Sequence, residues 1–288
     1  MQATTRRDFI KHTSILTAGL VLPKYEFLKS NKKIGIQLYT LRELFKTDVP
    51  GTIAAVAQAG YQEVETYDYN NGKYSGLSAE DYRALLEKNQ LVTPSGHYYL
   101  KGFLFQGNDD EWKVGIENAK KLGQQYMVVP YLDANERKTL DAYKKLAGRL
   151  NLAGEWCKKA GLQVAYHNHD FEFQPLEGST GMEVLLKETD KSLVQFELDV
   201  YWVSFAGKNP FNIIKAHPGR FPLWHVKDMD NTPQKKFTEV GNGVIDFKKL
   251  FKMEKKAGMK HFFVEQDVSS EPLASIRTSI DYLKKNIL

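Results

Sequence analysis

The sequence is poor in two features that would each point to a particular class of protein. Its 288 residues include a single cysteine, Cys157, so no disulfide bond can form within the chain. Cys157 falls in a helical pattern of apolar residues, which predicts a buried and unreactive thiol. No apolar run approaches the roughly 20 residues of a membrane-spanning helix. We therefore expect neither a disulfide-stabilised scaffold nor a membrane span.

No segment of the chain is strongly enriched in residues of one charge. The 40 basic and 35 acidic residues are spread along the chain and leave a formal charge of +5. No cluster of Lys or Arg is interleaved with aromatic residues, which argues against a nucleic-acid partner. No G-x-G-x-x-G motif follows an apolar run, which argues against a dinucleotide site. What remains is a chain with 42% hydrophobic residues, enough to bury the core of one large domain.

The amino-terminal segment resembles a twin-arginine export signal. Arg6 and Arg7 precede Phe9 and Lys11, and a mildly apolar run follows at residues 15–22. Such a signal sends an already folded protein, often with its cofactor loaded, to the periplasm. The resemblance therefore predicts a periplasmic protein. The cleavage site is left open, because no clear small-x-small motif follows the apolar run.

From residue 33 onward the chain repeats one sequence pattern, which is a helical segment, a glycine and then a short apolar run. The glycines stand where each helix would end in a left-handed residue, and they are Gly60, Gly123, Gly161 and Gly258. This alternation predicts eight strands, at residues 34–41, 61–67, 91–97, 125–131, 162–169, 193–200, 221–227 and 260–267. Helices are predicted between them at residues 78–89, 110–122, 136–159 and 246–257, with only a short helix at residues 210–216.

Eight alternating strands and helices predict a (β/α)8 TIM barrel. We assign residues 31–288 to this single catalytic domain, and residues 1–30 to the export signal and a linker. In such a barrel the active site lies at the carboxyl ends of the strands. Polar side chains stand at those ends: Gln37, Tyr39, Glu65, Tyr67, His97, His167, His169, Asp199, His225, Lys227, Glu265 and Asp267.

The last four strand ends carry the clearest motifs. They read YHNHDFEF from Tyr166, LDVYW from Leu198, HVKD from His225 and VEQD from Val264. With GIQLYT and VGNGVID elsewhere in the chain, they resemble the xylose isomerase-like TIM barrel superfamily. Within it, they resemble the sugar phosphate isomerase/epimerase family and its branch of inosose dehydratases and 3-keto-glycoside lyases. The resemblance implies a barrel enzyme that acts on a carbohydrate, a keto-sugar or a cyclitol.

The resemblance also implies one divalent metal ion, held by residues of strands five to eight. Carried over position by position, its ligands are His167, Asp199, His225 and Glu265. His169 is the alternative to His167, because strand alternation puts both on the same face. Two imidazoles and two carboxylates suit Mn, Co, Zn or Fe better than Mg. Glu197, deep in its strand, is expected to support Lys227 or a ligand histidine.

One departure from the family bears on the chemistry. Its epimerases place a glutamate on strand five as well as on strand eight, whereas this chain has His167. The first interpretation is a metal-dependent sugar isomerase/epimerase-like enzyme that removes a proton next to a metal-polarised carbonyl. The alternative favoured by His167 is a carbon–oxygen lyase or dehydratase that performs β-elimination. An endonuclease IV-like phosphoesterase and an inert sugar-binding barrel are further alternatives.

Other side chains are assigned roles in the same site. Proton transfer is assigned to Glu265, His169 and Glu172, with His97 as a further candidate. Lys227 is expected to hold a substrate hydroxyl or an enolate oxygen. The alternative for Lys227 is an ion pair with Glu265 or Asp267. The residues expected to bind substrate are His97, Gln37, Tyr39, Glu65 and Trp202, and Trp202, Tyr39 and Tyr99 are considered for stacking on a sugar face. The expected partner is a small carbohydrate, and the oligomeric state is left open.

Overall fold

The computed structural model describes residues 32–288, which form one compact unit. The predicted export signal, with Arg6 and Arg7, lies outside the described residues and stays a prediction. Among the described residues, no helix is long and apolar enough to cross a membrane.

Eight parallel strands close into a barrel. They are β1 (Gly35–Gln37), β2 (Glu63–Thr66), β3 (Val92–His97), β4 (Tyr126–Val129), β5 (Gln163–His167), β6 (Val194–Asp199), β7 (Leu223–Val226) and β8 (His261–Val264). Each strand pairs with the next one along the chain, and β1 also pairs with β8 to complete the ring. The predicted (β/α)8 TIM barrel is confirmed.

Helices connect the strands and cover the barrel. They are α1 (Arg42–Phe45), α2 (Val49–Ala59), α3 (Ala79–Lys88), α4 (Lys101–Gln106), α5 (Asp109–Leu122), α6 (Leu140–Ala160), α7 (Gly181–Glu188), α8 (Val200–Phe205), α9 (Pro210–Ala216), α10 (Phe247–Phe251), α11 (Glu254–Ala257) and α12 (Pro272–Asn286). The four predicted glycines end their helices in the left-handed conformation, with φ between 79° and 96°. The short helix predicted in the sixth connection is α9.

Several predicted boundaries were wrong. The first strand stops at Gln37, because its side chain accepts a hydrogen bond from the Tyr39 backbone N–H at 3.0 Å and starts a 3₁₀ turn over Leu38–Leu41. Helix α6 begins at Leu140 instead of residue 136, since Thr139 caps it. The helix predicted over residues 246–257 is two short helices, α10 and α11.

The barrel interior changes from apolar to polar along the strands. Val128, Ala165, Leu223 and Phe263 form a buried apolar cluster inside the barrel. Ala165, Leu223 and Phe263 stand two positions before His167, His225 and Glu265, respectively. Because residues two apart share a face of a strand, the polar side chains lie one layer above the apolar ones. The larger core lies between strands and helices and includes Cys157, which is fully buried as predicted.

Candidate active site and metal centre

Four side chains that the sequence assigns to a metal ion come together at the carboxyl ends of the last four strands. His167 ends β5, Asp199 ends β6, His225 lies in β7, and Glu265 directly follows β8. Each is buried, and one ligand atom from each lies within 4.8 Å of the others. We call these four residues the metal group. His169 is not part of this group.

The distances within the metal group are those of ligands around one ion. His225 Nδ1 lies 2.7 Å from Glu265 Oε2, and His167 Nε2 lies 3.2 Å from Asp199 Oδ2. Metal bonds of about 2.0–2.2 Å place neighbouring ligand atoms about 3 Å apart. His225 Nδ1 and Glu265 Oε2 are buried, and neither makes a well-aligned hydrogen bond within the described residues, although Lys227 Nζ lies 2.9 Å from Glu265 Oε2 as an ion-pair partner. A divalent ion would satisfy both atoms, so the residues fit a metal.

The second ring nitrogen of each histidine is held from outside the metal group. His167 Nδ1 lies 3.1 Å from the Pro130 carbonyl oxygen, which requires an N–H at that nitrogen and makes Nε2 the nitrogen that could bind a metal. His225 Nε2 lies 2.6 Å from Glu65 Oε2. A carboxylate on the outer nitrogen of a ligand histidine fixes its orientation and makes the ligating nitrogen more basic.

A second polar cluster lies behind His225. We call Glu65, His97 and Glu197 the inner cluster. His97 Nε2 lies 3.0 Å from Glu197 Oε2 and 3.2 Å from Glu65 Oε2, and His225 Nε2 lies 3.2 Å from Glu197 Oε2. Gln37 Nε2 donates to Glu65 Oε2 at 2.7 Å. Glu197 therefore lies against His225, which agrees with one of the two roles expected for it.

Gln37 and Glu65 lie below the site rather than on its wall. Both were expected to bind substrate, but both are fully buried and bonded to other protein groups, Glu65 to Ser95 as well as to Gln37. Their place behind His225 gives them a different task, which is to hold that ring. His97 differs from them, because it belongs to the inner cluster and also lines the cavity above.

The charges of the site favour binding of a cation. Burial would raise the pKa of Glu265, but the charges of Lys227 and His225 outweigh it and hold that pKa well below its usual range. The pKa of Asp199 is lowered against burial in the same way, chiefly by Lys227. The pKa of His225 is raised well above its usual value, because Glu197 and Glu265 outweigh its burial. A metal at Nδ1 therefore displaces a proton.

A cavity of about 540 Å³ opens above the metal group. His167 and Glu265 form part of its floor. The other residues that line it are Tyr39, Arg42, Tyr67, His97, Tyr99, Pro130, Tyr131, His169, Lys227, Asp267 and Val268. The cavity thus joins two of the four metal-group residues to Lys227, His169, His97 and Tyr39, which are half of the other residues that the sequence assigns to catalysis or substrate binding.

Lys227 lies between the metal group and the cavity. Its Nζ is 2.9 Å from Glu265 Oε2 and 2.9 Å from Asp267 Oδ1, so the ion pairs weighed as its alternative role are present. The same ammonium group lies 5.5 Å from the ring centroids of Trp202 and Phe237. The pKa of Lys227 is raised well above its usual value, because these carboxylates and Asp199 outweigh its burial. Lys227 is a fixed cation on the cavity wall.

His169 lies just beyond the end of β5. Its ring centroid is 4.8 Å from that of His167, and Nδ1 is buried without a hydrogen-bond partner among the described residues. Burial lowers the pKa of His169 well below its usual value, and the charges of His167 and Lys227 lower it further. The ring is therefore neutral at physiological pH and can accept a proton.

Glu172 and Trp202 support the site from behind. The carboxylate of Glu172 is fully buried and accepts hydrogen bonds from Tyr166 Oη at 2.5 Å and from the His169 backbone N–H at 2.7 Å. Glu172 therefore holds the segment that carries His169, and it does not line the cavity. The Trp202 ring lies 5.5 Å from that of His169 and covers Lys227. Of the two, neither reaches the cavity wall.

Sequence reasoning gave no site role to Arg42 or Tyr131, and considered Asp267 only as a partner of Lys227. Asp267 stands two residues after Glu265, so strand alternation could have placed it on the wall. Arg42 is the first residue of α1 and Tyr131 lies in the loop after β4, so both stand beyond the strands, where alternation no longer applies. Tyr39 and Tyr99, which were considered for stacking on a sugar, do line the cavity.

Comparison with known proteins agrees with this geometry. The family model described as "Xylose isomerase-like TIM barrel" matches residues 53–286. The chain belongs to this family. The resemblance drawn from the strand-end motifs is therefore confirmed at the level of the superfamily.

Individual members of the xylose isomerase-like family share part of the sequence. Inosose dehydratase of Geobacillus thermodenitrificans (strain NG80-2) is 26% identical over 178 residues, which are 56% of this chain and 58% of that protein. This chain thus matches less than two thirds of that relative. A sugar phosphate isomerase/epimerase from Parabacteroides distasonis ATCC 8503 superposes with a TM-score of 0.78 at 29% identity, over 90% of this chain and 95% of the other.

A third protein shares the fold alone. The IOLI protein, whose crystal structure has a binding zinc atom, superposes with a TM-score of 0.69 at 16% identity. The superposition covers 88% of this chain and 99% of that one.

Proposed function

We propose that this chain is a divalent-metal-dependent enzyme that acts on a carbohydrate, a keto-sugar or a cyclitol by removing a proton next to a carbonyl group. The observation that carries the proposal is a single cavity lined by His167 and Glu265 of the metal group together with His169 and Lys227. The names of the inosose dehydratase and sugar phosphate isomerase/epimerase relatives support the substrate class.

The metal would be held by His167, Asp199, His225 and Glu265. When bound, the ion would polarise a substrate carbonyl as a Lewis acid and so make the neighbouring C–H bond more acidic. The mixed imidazole and carboxylate donor set favours Mn, Co, Zn or Fe over Mg.

His169 is the base that the geometry supports best. It lines the cavity, its ring is neutral, and its Nδ1 has no hydrogen-bond partner within the described chain. Glu172 accepts a hydrogen bond from the His169 backbone and so fixes this segment. A positioned base of this kind contributes about 10²–10⁴-fold in rate. In this proposal Glu172 acts through His169 and does not itself touch substrate.

Lys227 and Asp267 supply the charges that the rest of the reaction needs. As the C–H bond breaks, negative charge develops on the carbonyl oxygen, and Lys227 Nζ is placed to donate a hydrogen bond to it. Asp267 lines the same cavity 3.0 Å from Lys227, and burial raises its pKa to about 6. A minor fraction of Asp267 is protonated near neutral pH, and in that form its carboxyl group can give a proton to a departing β-oxygen. The electron pair of the C–H bond becomes a C=C bond, and water or an alcohol leaves.

The histidine at the end of β5, His167, favours elimination over epimerisation. Inversion of a stereocentre needs an acid and a base on opposite faces of the substrate, and His167 replaces the second carboxylate that would serve there. An imidazole whose free nitrogen binds a metal cannot use that nitrogen to transfer a proton to or from the substrate. Epimerisation stays the second candidate, because His169 and Glu265 reach the cavity from well-separated strands and could act as such a pair.

Product analysis in deuterated water tests the proposal. Metal-loaded protein is offered a panel of sugars, keto-sugars, cyclitols and keto-glycosides, and products are identified by NMR. We expect net loss of water or of an aglycone, giving an unsaturated keto-sugar. His169→Gln should lower the rate by at least about 100-fold, and the control His217→Gln, which lies outside this cavity, should not.

Two results would contradict this account. Inversion at one carbon with one solvent deuterium incorporated would replace elimination by epimerisation. Binding without turnover of any substrate in the panel would favour the inert sugar-binding barrel.

A further inference from the structure

The wall of the cavity has two chemically different halves. The last four strands supply histidine, lysine and carboxylate side chains. Each of the first four strands is instead followed within two residues by a tyrosine that lines the cavity: Tyr39, Tyr67, Tyr99 and Tyr131. Because β1 to β4 are consecutive in the barrel, these four rings stand on one side of the mouth. We call them the tyrosine wall.

The rings of the tyrosine wall are held in place as two pairs. Tyr39 and Tyr67 meet edge to face with centroids 5.6 Å apart, and Tyr99 and Tyr131 do so at 6.1 Å. The Tyr99 hydroxyl donates to Glu136 Oε2 at 2.7 Å, which anchors the second pair. Tyr39 and Tyr131 nevertheless remain 39% and 36% exposed. Two fixed aromatic rings thus face the open part of the cavity.

A cation stands at the same edge. The Arg42 guanidinium lies 4.3 Å from the ring centroid of Tyr39, and its Nη1 donates to the Tyr39 carbonyl oxygen at 3.1 Å. The neighbouring carboxylate is that of Glu43, whose Oε1 lies 3.9 Å from Arg42 Nε and whose side chain is largely exposed. The Arg42 charge is therefore only weakly neutralised by the described part of the chain. Val268, 66% exposed, adds an apolar side chain to the lip.

The cavity is larger than the reacting group needs. Cavities of roughly 300–1,000 Å³ hold drug-sized ligands, and this one measures about 540 Å³. The chemistry assigned to His169, Lys227 and the metal group occupies only the half formed by the later strands. The other half offers the rings of the tyrosine wall, the Arg42 cation and the His97 ring, and the Tyr99 hydroxyl there is already bonded to Glu136. Such a surface suits a flat aromatic ring better than a second sugar.

We propose that the tyrosine wall binds an aromatic ring attached to the reacting carbohydrate, and that Arg42 favours a ring bearing a negative charge. The substrate class is then an aryl glycoside or a derivative of one. This inference rests on the proposed function for the identity of the reacting part. It adds a second subsite that selects the substituent.

Binding of three matched probes tests the inference. The full chain is loaded with manganese, and its affinities for methyl, 4-nitrophenyl and 4-carboxyphenyl β-glucoside are measured by calorimetry. We expect the carboxyphenyl compound to bind about ten-fold more tightly than the methyl compound. Tyr131→Leu should lower that ratio by about three- to ten-fold. Arg42→Gln should remove the advantage of the carboxyphenyl over the nitrophenyl ring.

Phe105→Leu is the control, since Phe105 is 37% exposed outside the cavity, and it should leave the ratios unchanged. Equal affinity for methyl and aryl glucosides, no measurable binding of the aryl compounds, or ratios unaffected by Tyr131→Leu would each overturn the inference. Turnover of the sugar panel without an aryl preference would contradict this inference alone. An aryl preference without turnover would contradict the proposed function.

Discussion

His225 is the residue on which the account of the site depends. Its Nδ1 lies 2.7 Å from Glu265 in the metal group, and its Nε2 lies 2.6 Å from Glu65 in the inner cluster. The ring therefore connects the two clusters, and the way it is held decides which nitrogen is presented to a metal.

Glu65→Gln tests the inner cluster. We expect the variant to bind a divalent metal about 10- to 100-fold more weakly, because it removes the negative charge behind the ligand ring. Metal affinity is measured by competition with a chelator. Glu63→Gln is the matched control, since Glu63 lies on the same strand but pairs with His261 and not with the metal group. Equal affinity in the two variants would show that Glu65 does not act through His225.

Glu172 makes a prediction about pH. Burial raises its pKa in the folded chain to about 7, from an ordinary value of 4.5. The folded chain thus holds this proton more tightly than the unfolded chain, so the associated stability is present below pH 4.5 and is lost as the pH rises to 7. Glu172→Gln stays neutral. The free energy of unfolding of the variant minus that of the wild type should therefore rise across this range, by at most about 1.4 kcal/mol per pH unit. Parallel curves from denaturation at each pH would contradict the assignment.

At the scale of the elements, the repeated sequence pattern of helix, glycine and strand specifies the barrel. Gly161 ends α6 with φ of 80°, a conformation in which a side chain is strained even though no atom lies within 4 Å of its would-be Cβ. Gly148 lies exposed within the same helix and is equally open. The two glycines therefore differ in backbone conformation and not in available space.

Alanine at these two positions should act with opposite sign. Gly161→Ala is expected to lower the free energy of unfolding by about 1 kcal/mol, and Gly148→Ala to raise it by about 0.5–1 kcal/mol. Chemical denaturation measures both. A loss of stability in both variants would mean that packing, rather than backbone conformation, decides the effect.

The elements also show what the sequence could and could not predict. Apolar runs and glycines located all eight strands, because burial and helix termination are local in sequence. How deep a side chain lies inside the barrel, in contrast, is not determined by the local sequence. Alternation put Glu65 and His225 on inward faces, but only the register between strands places Glu65 behind His225 instead of on the cavity wall. Arg42 is the first residue of α1 and Tyr131 follows the observed end of β4, so strand alternation did not identify either as a residue of the site.

At the scale of the whole molecule, ionisable side chains are concentrated in one part of the barrel. Glu65, Glu197, Asp199, His225 and Lys227 are all at most 2% exposed. Buried charges of this kind cost stability even when paired, so hydrophobic residues would stabilise the barrel more. Their concentration beside and beneath a cavity is typical of a functional site. The apolar layer below them supplies the packing that tolerates it.

We propose, from the sequence alone, that the protein is exported to the periplasm by a twin-arginine signal. Changing Arg6 and Arg7 together to lysine should leave the protein in the cytoplasm, because the pair is read by a receptor. Cell fractionation measures the outcome. Lys32→Arg, which lies outside residues 1–30, is the control and should not alter localisation. Unchanged periplasmic localisation of the double variant would show that this segment is not such a signal.

The metal content of the protein tests the central claim most directly. We expect wild-type protein to carry about one divalent ion per chain, and His225→Ala and Asp199→Ala to lose most of it. His217→Ala, a histidine outside the metal group, should keep the wild-type content. Elemental analysis of all four purified proteins, with folding checked by circular dichroism, gives the result. Equal metal in wild type and both site variants would contradict the account.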